Sequence, residues 1–411
     1  MAFAGFNAFR HRGVPFYLST RFFSITASQM VSVAIGWQVY ELTRDPLHLG
    51  YVGLAQFLPA MLFSLVSGHA ADRYDRRFIL FACILANLGA VSLLARVAPS
   101  LPIIYGVSVA IGIIRAFGGP ASASFLPTLV PAAEFGNAVA WSMIGFQAGT
   151  VIGPAVGGLV FAYLGGGVMV YVVAAGLYAL ALLNLVGVPS APKRENRPAP
   201  TFASLVAGLA YVWKERVILG AMALDLFAVL LGGATALLPV FARDILHAGP
   251  EGLGMLRAAP AVGAGLMALL ISFFPLRRRL GWTLLGGVAV FGLATVVFGL
   301  SRNLALSVAA LAVAGSADML SVNIRHTLIQ MSTPDAMRGR VSAVAFVFIG
   351  ASNELGEFES GVTAKWFGTA PAVVVGGVGT CVVVLLTALL FPRLRKVDAV
   401  NSAQFSVSSS Q

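Results

Sequence analysis

Charged residues are scarce in this sequence of 411 residues: Asp, Glu, Lys and Arg make up 10% of the chain, whereas hydrophobic residues make up 58%. A soluble domain carries roughly 25% charged residues because its surface must be hydrated. The composition therefore excludes a soluble enzyme and a disordered chain. Cysteine is almost absent, and Cys83 and Cys381 both lie in apolar runs, which excludes a disulfide framework. What remains is a membrane protein with many apolar segments.

Sequence motifs of enzymatic chemistry are also lacking. The chain has no Walker A loop, no nucleophile elbow and no HExxH motif. Its five histidines are scattered without the spacing of metal ligands. We therefore expect no enzymatic activity, no cofactor and no metal site.

Long apolar runs are present along the whole chain. A run of roughly 20 apolar residues is long enough to cross a bilayer as a helix, and the sequence has about twelve of them. This pattern predicts an all-α membrane protein. The predicted spanning segments are 15–41, 49–71, 78–97, 102–125, 137–163, 168–188, 217–241, 253–274, 282–300, 303–329, 340–365 and 371–391.

The net charge of +11 is distributed unevenly among the predicted loops. With both termini in the cytoplasm, 18 basic residues lie on the cytoplasmic side and only 6 lie on the opposite side. This is the asymmetry of the positive-inside rule. It predicts a multi-pass protein of the bacterial inner membrane with both termini cytoplasmic, and it explains the basic charge without nucleic-acid binding.

The segment 189–216 divides the chain into two related halves. Four prolines among basic residues predict a polar linker. It is followed by an apolar–polar periodicity that predicts either a helix on the membrane surface or an extension of the seventh spanning helix. A shift of 203 residues brings 131–136 onto 334–339. We predict two six-helix bundles in parallel orientation, 1–188 and 217–392, and a polar cytoplasmic tail, 393–411.

Small residues four apart recur at equivalent positions of the fifth and eleventh spanning helices. They lie on one helical face and allow another backbone to approach closely. We predict helix-packing roles for Gly149, Gly153, Pro154, Gly157, Gly158 and Gly356.

Three motifs resemble those of the major facilitator superfamily. Segment 68–77, Gly-His-Ala-Ala-Asp-Arg-Tyr-Asp-Arg-Arg, resembles its loop 2–3 motif, and segment 149–158 resembles the helix 5 motif of its exporters. Arg115 resembles the helix 4 arginine of its drug:proton antiporters. The resemblance implies a secondary transporter whose two halves rock about a central site.

Three further runs are most similar to one bacterial branch of the superfamily, which contains the enterobactin exporter and macrolide-efflux-type proteins. These runs are 37–40, 334–340 and 352–361. The resemblance covers the chain except for the linker and the tail, and it does not specify the substrate.

The 68–77 loop is expected to act as a gate. A carboxylate at the end of the second helix would accept hydrogen bonds from an arginine or a helix N-terminus, and arginines would pair with acids that separate on opening. The alternative is that the basic loop only sets orientation. The gating candidates are Gly68, Asp72, Arg73, Arg76 and Arg77. The loop 275–282 lacks the acidic residue, so we expect gating to be asymmetric.

Ionisable residues inside predicted spanning helices are costly and therefore informative. Arg115 falls on Asp318 under the 203-residue shift, so the two would form a pair across a central cavity, either as a structural salt bridge or as a coupling device. Asp225 and Glu357 have no evident cationic partner in their own helical turns, which favours them as proton carriers. The proton-coupling candidates are Asp225, Glu357, Asp318 and Glu354; the substrate-cavity candidates are Arg115, Asp225, Asp318, Asn323, Gln29 and Arg21. Arg325 is also embedded.

Two classes of function follow from these residues. The first is a proton-coupled exporter of an amphipathic small molecule, such as a drug, siderophore or other metabolite, that works by alternating access. The second is an importer or facilitator of a nutrient such as a sugar, organic acid or metal chelate. The helix 5 motif and Arg115 favour export. We expect the partners to be the substrate, protons and the lipid bilayer, and the protein to be a monomer.

Overall fold

The computed structural model describes residues 4–131, 133–189, 202–276 and 278–398, and within them the chain is almost entirely helical. The helices are α1 Gly13–Thr43, α2 Pro46–Arg73, α3 Arg76–Arg96, α4 Leu101–Phe125, α5 Phe135–Tyr163, α6 Gly166–Val186, α7 Phe202–Lys214, α8 Arg216–Gly232, α9 Leu238–Val240, α10 Gly249–Phe273, α11 Leu280–Leu300, α12 Leu304–Ser332, α13 Asp335–Phe367, α14 Thr369–Leu390 and α15 Pro392–Arg395. Parts of the predicted linker, 190–201, and tail, 399–411, lie outside the described residues.

Side-chain caps explain where several helices begin. The Asp45 carboxylate accepts a hydrogen bond from Leu47 N at 3.0 Å, directly before Pro46 at the first position of α2. The Asp75 carboxylate accepts from Arg77 N at 2.8 Å at the start of α3. Each cap satisfies a backbone N–H that has no partner within the helix.

Eleven segments of the described residues are long and apolar enough to cross a membrane. The helix α1 is a twelfth long helix, of 31 residues, and it is not among these eleven segments. Sixteen of its residues are buried, among them the polar Thr20, Thr26 and Gln38. A helix enclosed by protein needs a less apolar surface than one that faces lipid. The predicted all-α membrane fold is confirmed.

The seventh spanning segment is interrupted. The helix α8 ends at Gly232, a 3₁₀ turn follows at Ala234–Leu237, and α9 leads into a π turn at Phe241–Ile245. Side chains from other helices donate hydrogen bonds to backbone carbonyls near the interruption. Ser360 Oγ donates to Gly233 O at 3.0 Å, and Thr380 Oγ1 donates to Ala228 O at 3.1 Å. Non-helical backbone at membrane depth is tolerated where such partners exist.

The chain forms two compact units. The first consists of Met1–Ala199 with Leu238–Ala258, and the second of Pro200–Leu237 with Ala259–Gln411. The segment 238–258, which lies within the predicted second bundle, instead packs in the first unit. Backbone contact explains this, since a Cβ on Gly158 would lie 2.6 Å from Pro250 O.

Each unit has its own packing. In the first, α1 packs against α5 and α6, α2 against α4, and α3 against α4 and α6. In the second, α11 packs against α12 and α14, and α8 packs against α13 and α14. Both units therefore combine contacts between successive helices with contacts between helices that are distant in sequence.

The helix α7 is separate from the seventh spanning segment, because Glu215 has an extended backbone between α7 and α8. It packs against α13, and Tyr211 Oη donates to Ser332 O at 2.8 Å. Burial, and then the negative charge of Glu215, raise the pKa of the Tyr211 hydroxyl, which therefore stays a donor. Of the two predicted readings, extension of the spanning helix is thus not what the structure shows.

Candidate functional site

Asp225 on α8 and Arg325 on α12 form an ion pair in the second unit. Asp225 is 7% exposed and Arg325 is 3% exposed. Asp225, for which the sequence showed no evident cationic partner in its own helical turns, thus has one elsewhere in the fold. Its partner lies on another helix, one hundred residues later in the chain, whereas sequence reasoning considered only its own helical turns. Removing one partner of a buried pair of this kind destabilises a protein by about 3–5 kcal/mol, because the other charge is left buried alone.

The remaining candidates of the second unit lie on α12 and α13. Asp318 and Asn323 are half-buried on α12. Glu354 and Glu357 are half-buried on α13, and each has an interaction partner. On α13, a Cβ at Gly356 would lie 2.9 Å from Val229 O, so the backbones of α13 and α8 are in close contact. The structure thus brings this glycine to the helix that carries Asp225.

In the first unit, two arginines of spanning helices bond to neutral side chains. Arg21 Nη1 donates to Ser142 Oγ at 2.6 Å, and Arg115 Nη1 donates to Gln56 Oε1 at 3.3 Å. Arg21 is half-buried, and Arg115 is exposed. Arg115 and Asp318 belong to different units, so their pairing stays a prediction.

Glycines of α5 lie directly against α1. A Cβ on Gly153 would lie 2.6 Å from Gln29 Cβ and 2.7 Å from Thr26 O. A Cβ on Gly149 would lie 2.9 Å from Ile25 Cγ2, and one on Gly157 would lie 3.0 Å from Met30 Cα. The packing candidates Pro154 and Gly158 are buried on the same helix, where Gly158 instead faces the backbone at Pro250 and Gly254.

The loop between α2 and α3 is only partly described at the level of side chains. The side chain of Asp72 lies outside the described residues, and Gly68 has open space around it. Arg73 is exposed and Arg76 is half-buried. Arg77 Nη2 donates to Val186 O at 2.8 Å, which ties the start of α3 to the end of α6. The cap residue of this loop, Asp75, was not among the predicted site residues, although an Asp directly before a helix is a recognisable signal.

A second charged group was missed by sequence reasoning. We call Tyr40, Glu41, Arg44, Arg243 and Asp244 the Tyr40 cluster. The Tyr40 hydroxyl donates to the Asp244 carboxylate, Arg44 Nη1 lies 3.6 Å from Asp244 Oδ1, and Arg243 Nη1 lies 3.3 Å from Glu41 Oε1. The 203-residue shift places Glu41 on Asp244, so the repeat contained a signal for this cluster.

Two contacts extend the Tyr40 cluster along α1. The Arg243 guanidinium lies 5.4 Å from the centroid of the Trp37 ring, within the range of a cation–π interaction. Arg257 Nη1 donates to Ser32 Oγ at 2.5 Å. Together they hold the segment 238–258 against α1. Among the described residues, no group of three or more His, Cys, Asp or Glu side chains is arranged to hold a metal ion.

Ionisable groups buried inside spanning helices mark substrate or ion pathways, so the Asp225–Arg325 pair indicates a membrane transporter. The sequence profile of the transmembrane secretion effector family matches residues 4–409, and the chain belongs to this family. The predicted superfamily resemblance is confirmed.

Individual proteins are similar to this chain over most of its length. A protein named enterobactin exporter EntS, from Citrobacter koseri, is 29% identical over 384 residues, which is 92% of this chain and 91% of the relative. Two solved structures share the fold. A point variant of the nucleoside transporter NupG has a TM-score of 0.76 at 14% identity and covers 92% of this chain and 99% of its own. An inward-facing, occupied bacterial homologue of the human lysosomal transporter Spinster has a TM-score of 0.73 at 15% identity, over 94% and 97%.

Proposed function

We propose that this chain is a proton-coupled exporter of an amphipathic small molecule and works by alternating access in the bacterial inner membrane. The buried Asp225–Arg325 pair carries the proposal. Ionisable groups inside spanning helices are rare and mark ion or substrate pathways. Asp225 also lies on α8 about two helical turns before the end of that helix at Gly232, where a change of charge can act on a helix that is not continuous.

The coupling step that we propose is competition for Asp225. In one state the ionised carboxylate is paired with Arg325. A proton on Asp225 removes the attraction between the two side chains and leaves Arg325 to find other partners. Intact and broken pairs then favour different conformations of the second unit. The ion pair would remain intact while substrate moves outward and would be broken by the proton during the return step.

The substrate class that we propose is the siderophore-like group of oxygen-rich amphipathic molecules. Arg21 and Arg115 present hydrogen-bond donors within spanning helices, and the partners described for them are neutral oxygens of Ser142 and Gln56. Such donors suit a substrate that carries several oxygen acceptors. The name of the relatives from enteric bacteria agrees with this class.

Transport into proteoliposomes tests the proposed function. The purified full-length chain is reconstituted, a pH gradient of either sign is imposed, and movement of enterobactin across the membrane is measured. We expect enterobactin to move against the direction of proton flow. Equal rates with and without the gradient would identify a facilitator, and movement together with protons would identify an importer-like symporter.

Alternating access requires contacts that open and close, and we propose that the Tyr40 cluster is one of them. It joins α1 to a segment that the sequence repeat assigns to the second half of the chain. Asp244→Asn removes the charge that Tyr40 and Arg44 share. Because the Asp244 side chain is 41% exposed, water screens the contact, and we expect only a roughly three- to tenfold increase in local opening. Hydrogen exchange of the backbone of 238–246 measures it.

The matched control for this experiment is Glu251→Gln, which removes one carboxylate from the same unit but not from the Tyr40 cluster. Hydrogen exchange in 238–246 should be the same in the Glu251→Gln control as in the parent. If Asp244→Asn leaves exchange at the level of Glu251→Gln, the cluster has no gating role.

The orientation of the chain is a further prediction. Because 18 basic residues fall on one side of the predicted topology, we expect both termini to be cytoplasmic. Green fluorescent protein fused after Gln411 should fluoresce, and alkaline phosphatase at the same position should be inactive. Fusions after Arg302 provide the control, since this loop is predicted on the opposite side. The reverse pattern of activities would show that the orientation is inverted.

A further inference from the structure

A cavity of about 540 Å³ lies in the second unit where α11 begins and the chain leaves α14. Its lining is Arg279, Trp282, Arg395, Lys396, Val397 and Asp398. None of these residues belongs to the Asp225–Arg325 pair or to the Tyr40 cluster. The cavity is therefore a feature that the proposed transport cycle does not use.

Backbone contacts build this cavity from two distant parts of the chain. Gly281 N donates to Val397 O at 3.1 Å, and Arg279 N donates to the Asp398 backbone and side-chain oxygens. Leu394 is fully buried beside them, with its carbonyl against Gly281. The segment after α14 is thus held on the start of α11, which brings the basic side chains of both parts to one site.

The charge of the lining is strongly positive. It contains three basic side chains and one carboxylate, and Asp398 Oδ1 already accepts a hydrogen bond from Arg279 N at 3.1 Å. Arg279 and Lys396 are exposed, and Arg395 is half-buried. Like charges held together in this way attract an anion, and arginine and lysine donors match the oxygens of a phosphate group.

The surrounding surface places the cavity at the level of lipid head groups. Large apolar side chains are exposed at the neighbouring helix ends, including Phe273 at 75% and Leu390 at 69%. Trp282, at 55% exposure, lies just beyond them at the start of α11. Tryptophan is enriched at the interface between hydrocarbon and water. The cavity thus adjoins an apolar surface on one side and carries cations on the other.

We propose that this cavity binds the phosphate-containing head group of an anionic phospholipid. The basic side chains would contact the phosphate oxygens, and the Trp282 ring would pack against the glycerol and the upper part of the acyl chains. A free phosphate would use the same cations but would gain nothing from Trp282 or the adjoining apolar side chains. The basic clusters recognised at membrane surfaces act through this chemistry.

Native mass spectrometry of the detergent-purified full-length chain tests the proposal, with phosphatidylglycerol as the probe. We expect saturable binding of phosphatidylglycerol. The triple variant Arg279→Gln/Arg395→Gln/Lys396→Gln should weaken lipid binding by roughly a hundredfold. Each basic residue contributes about 1 kcal/mol, and the loss of one contribution changes the affinity about fivefold. Trp282→Ala should also weaken the binding of phosphatidylglycerol, although it changes no charge.

Matched controls separate this site from general electrostatic attraction. Arg278→Gln/Arg393→Gln removes two neighbouring charges that do not line the cavity, and it should change the affinity less than twofold. Circular dichroism and size-exclusion chromatography of each variant show that the fold is retained. The double variant Arg279→Gln/Arg395→Gln removes the same number of charges from the lining itself. A loss in the control equal to the loss in this double variant would overturn the proposal.

Two further probes distinguish the possible ligands. Phosphatidylcholine, which has a phosphate but no net charge, should bind at least tenfold more weakly than phosphatidylglycerol. Inorganic phosphate at millimolar concentration should not displace the lipid. Displacement by phosphate, with no effect of Trp282→Ala, would show a free-phosphate site instead, and equal binding of the two lipids would show that charge is not recognised.

Discussion

Asp225→Asn is expected to abolish transport driven by a pH gradient while leaving enterobactin exchange down its own gradient measurable. The neutral amide has the shape of the protonated carboxyl but cannot release a proton, so the pair with Arg325 stays broken in every state. We expect the proton-driven rate in proteoliposomes to fall at least a hundredfold. Because Arg325 is 3% exposed and loses its counter-charge, the variant should also lose up to about 3–5 kcal/mol of stability.

A double variant separates coupling from a purely structural salt bridge. Asp225→Asn/Arg325→Gln removes both charges, so neither is left buried alone, and the melting temperature should recover most of the loss seen in Asp225→Asn. Proton-driven transport should not recover with it. Recovery of both would mean that the pair only stabilises the fold. Glu215→Gln, which removes a carboxylate at the start of α8 outside the pair, should leave stability and transport close to those of the parent.

The second large effect is expected at the contact between α5 and α1. Gly153→Leu places a branched side chain where a Cβ alone would lie 2.7 Å from Thr26 O and 2.6 Å from Gln29 Cβ. Backbone cannot retreat as a flexible side chain does, so the helices must separate. Overpacking costs about 1–3 kcal/mol or more. We expect loss of most of the monodisperse protein in fluorescence-detected size-exclusion chromatography, and loss of transport in the fraction that folds.

The same helix supplies the control. Gly145 lies two turns earlier on α5, and a Cβ there would meet no atom within 4 Å. Gly145→Leu should therefore keep a normal elution profile and transport rate. Gly356→Leu and Gly350→Leu form the corresponding test and control on α13, since only Gly356 lies against the backbone of α8. Normal folding of Gly153→Leu would show that the contact is not required.

Much of the fold could be predicted because the bilayer imposes simple local rules. A spanning helix needs a long apolar run, so segment lengths alone located the long helices. Local caps such as Asp45 and Asp75 then set individual helix starts. The family could be predicted for a similar reason, since its motifs are short continuous segments such as 68–77 and 149–158.

The site was less predictable because its contacts join distant segments. Asp225 and Arg325 were each recognised as embedded charges, but an ion pair between residues one hundred positions apart depends on how α8 and α12 pack. The placement of 238–258 in the first unit had the same origin, since glycines of α5 allow close backbone contact there. The repeat contained the correspondence of Glu41 with Asp244, yet it could not reveal that both join the Tyr40 cluster.

The sequence by itself determined the environment, the helical architecture and the family of this protein, because composition, run length and short motifs are local properties of the chain. Only the tertiary structure decided which embedded charges neutralise one another, where the seventh spanning segment is interrupted, and how Arg279 and Arg395 come to line one cavity. A buried charge must find a counter-charge wherever packing provides one, and packing is determined by all the helices together.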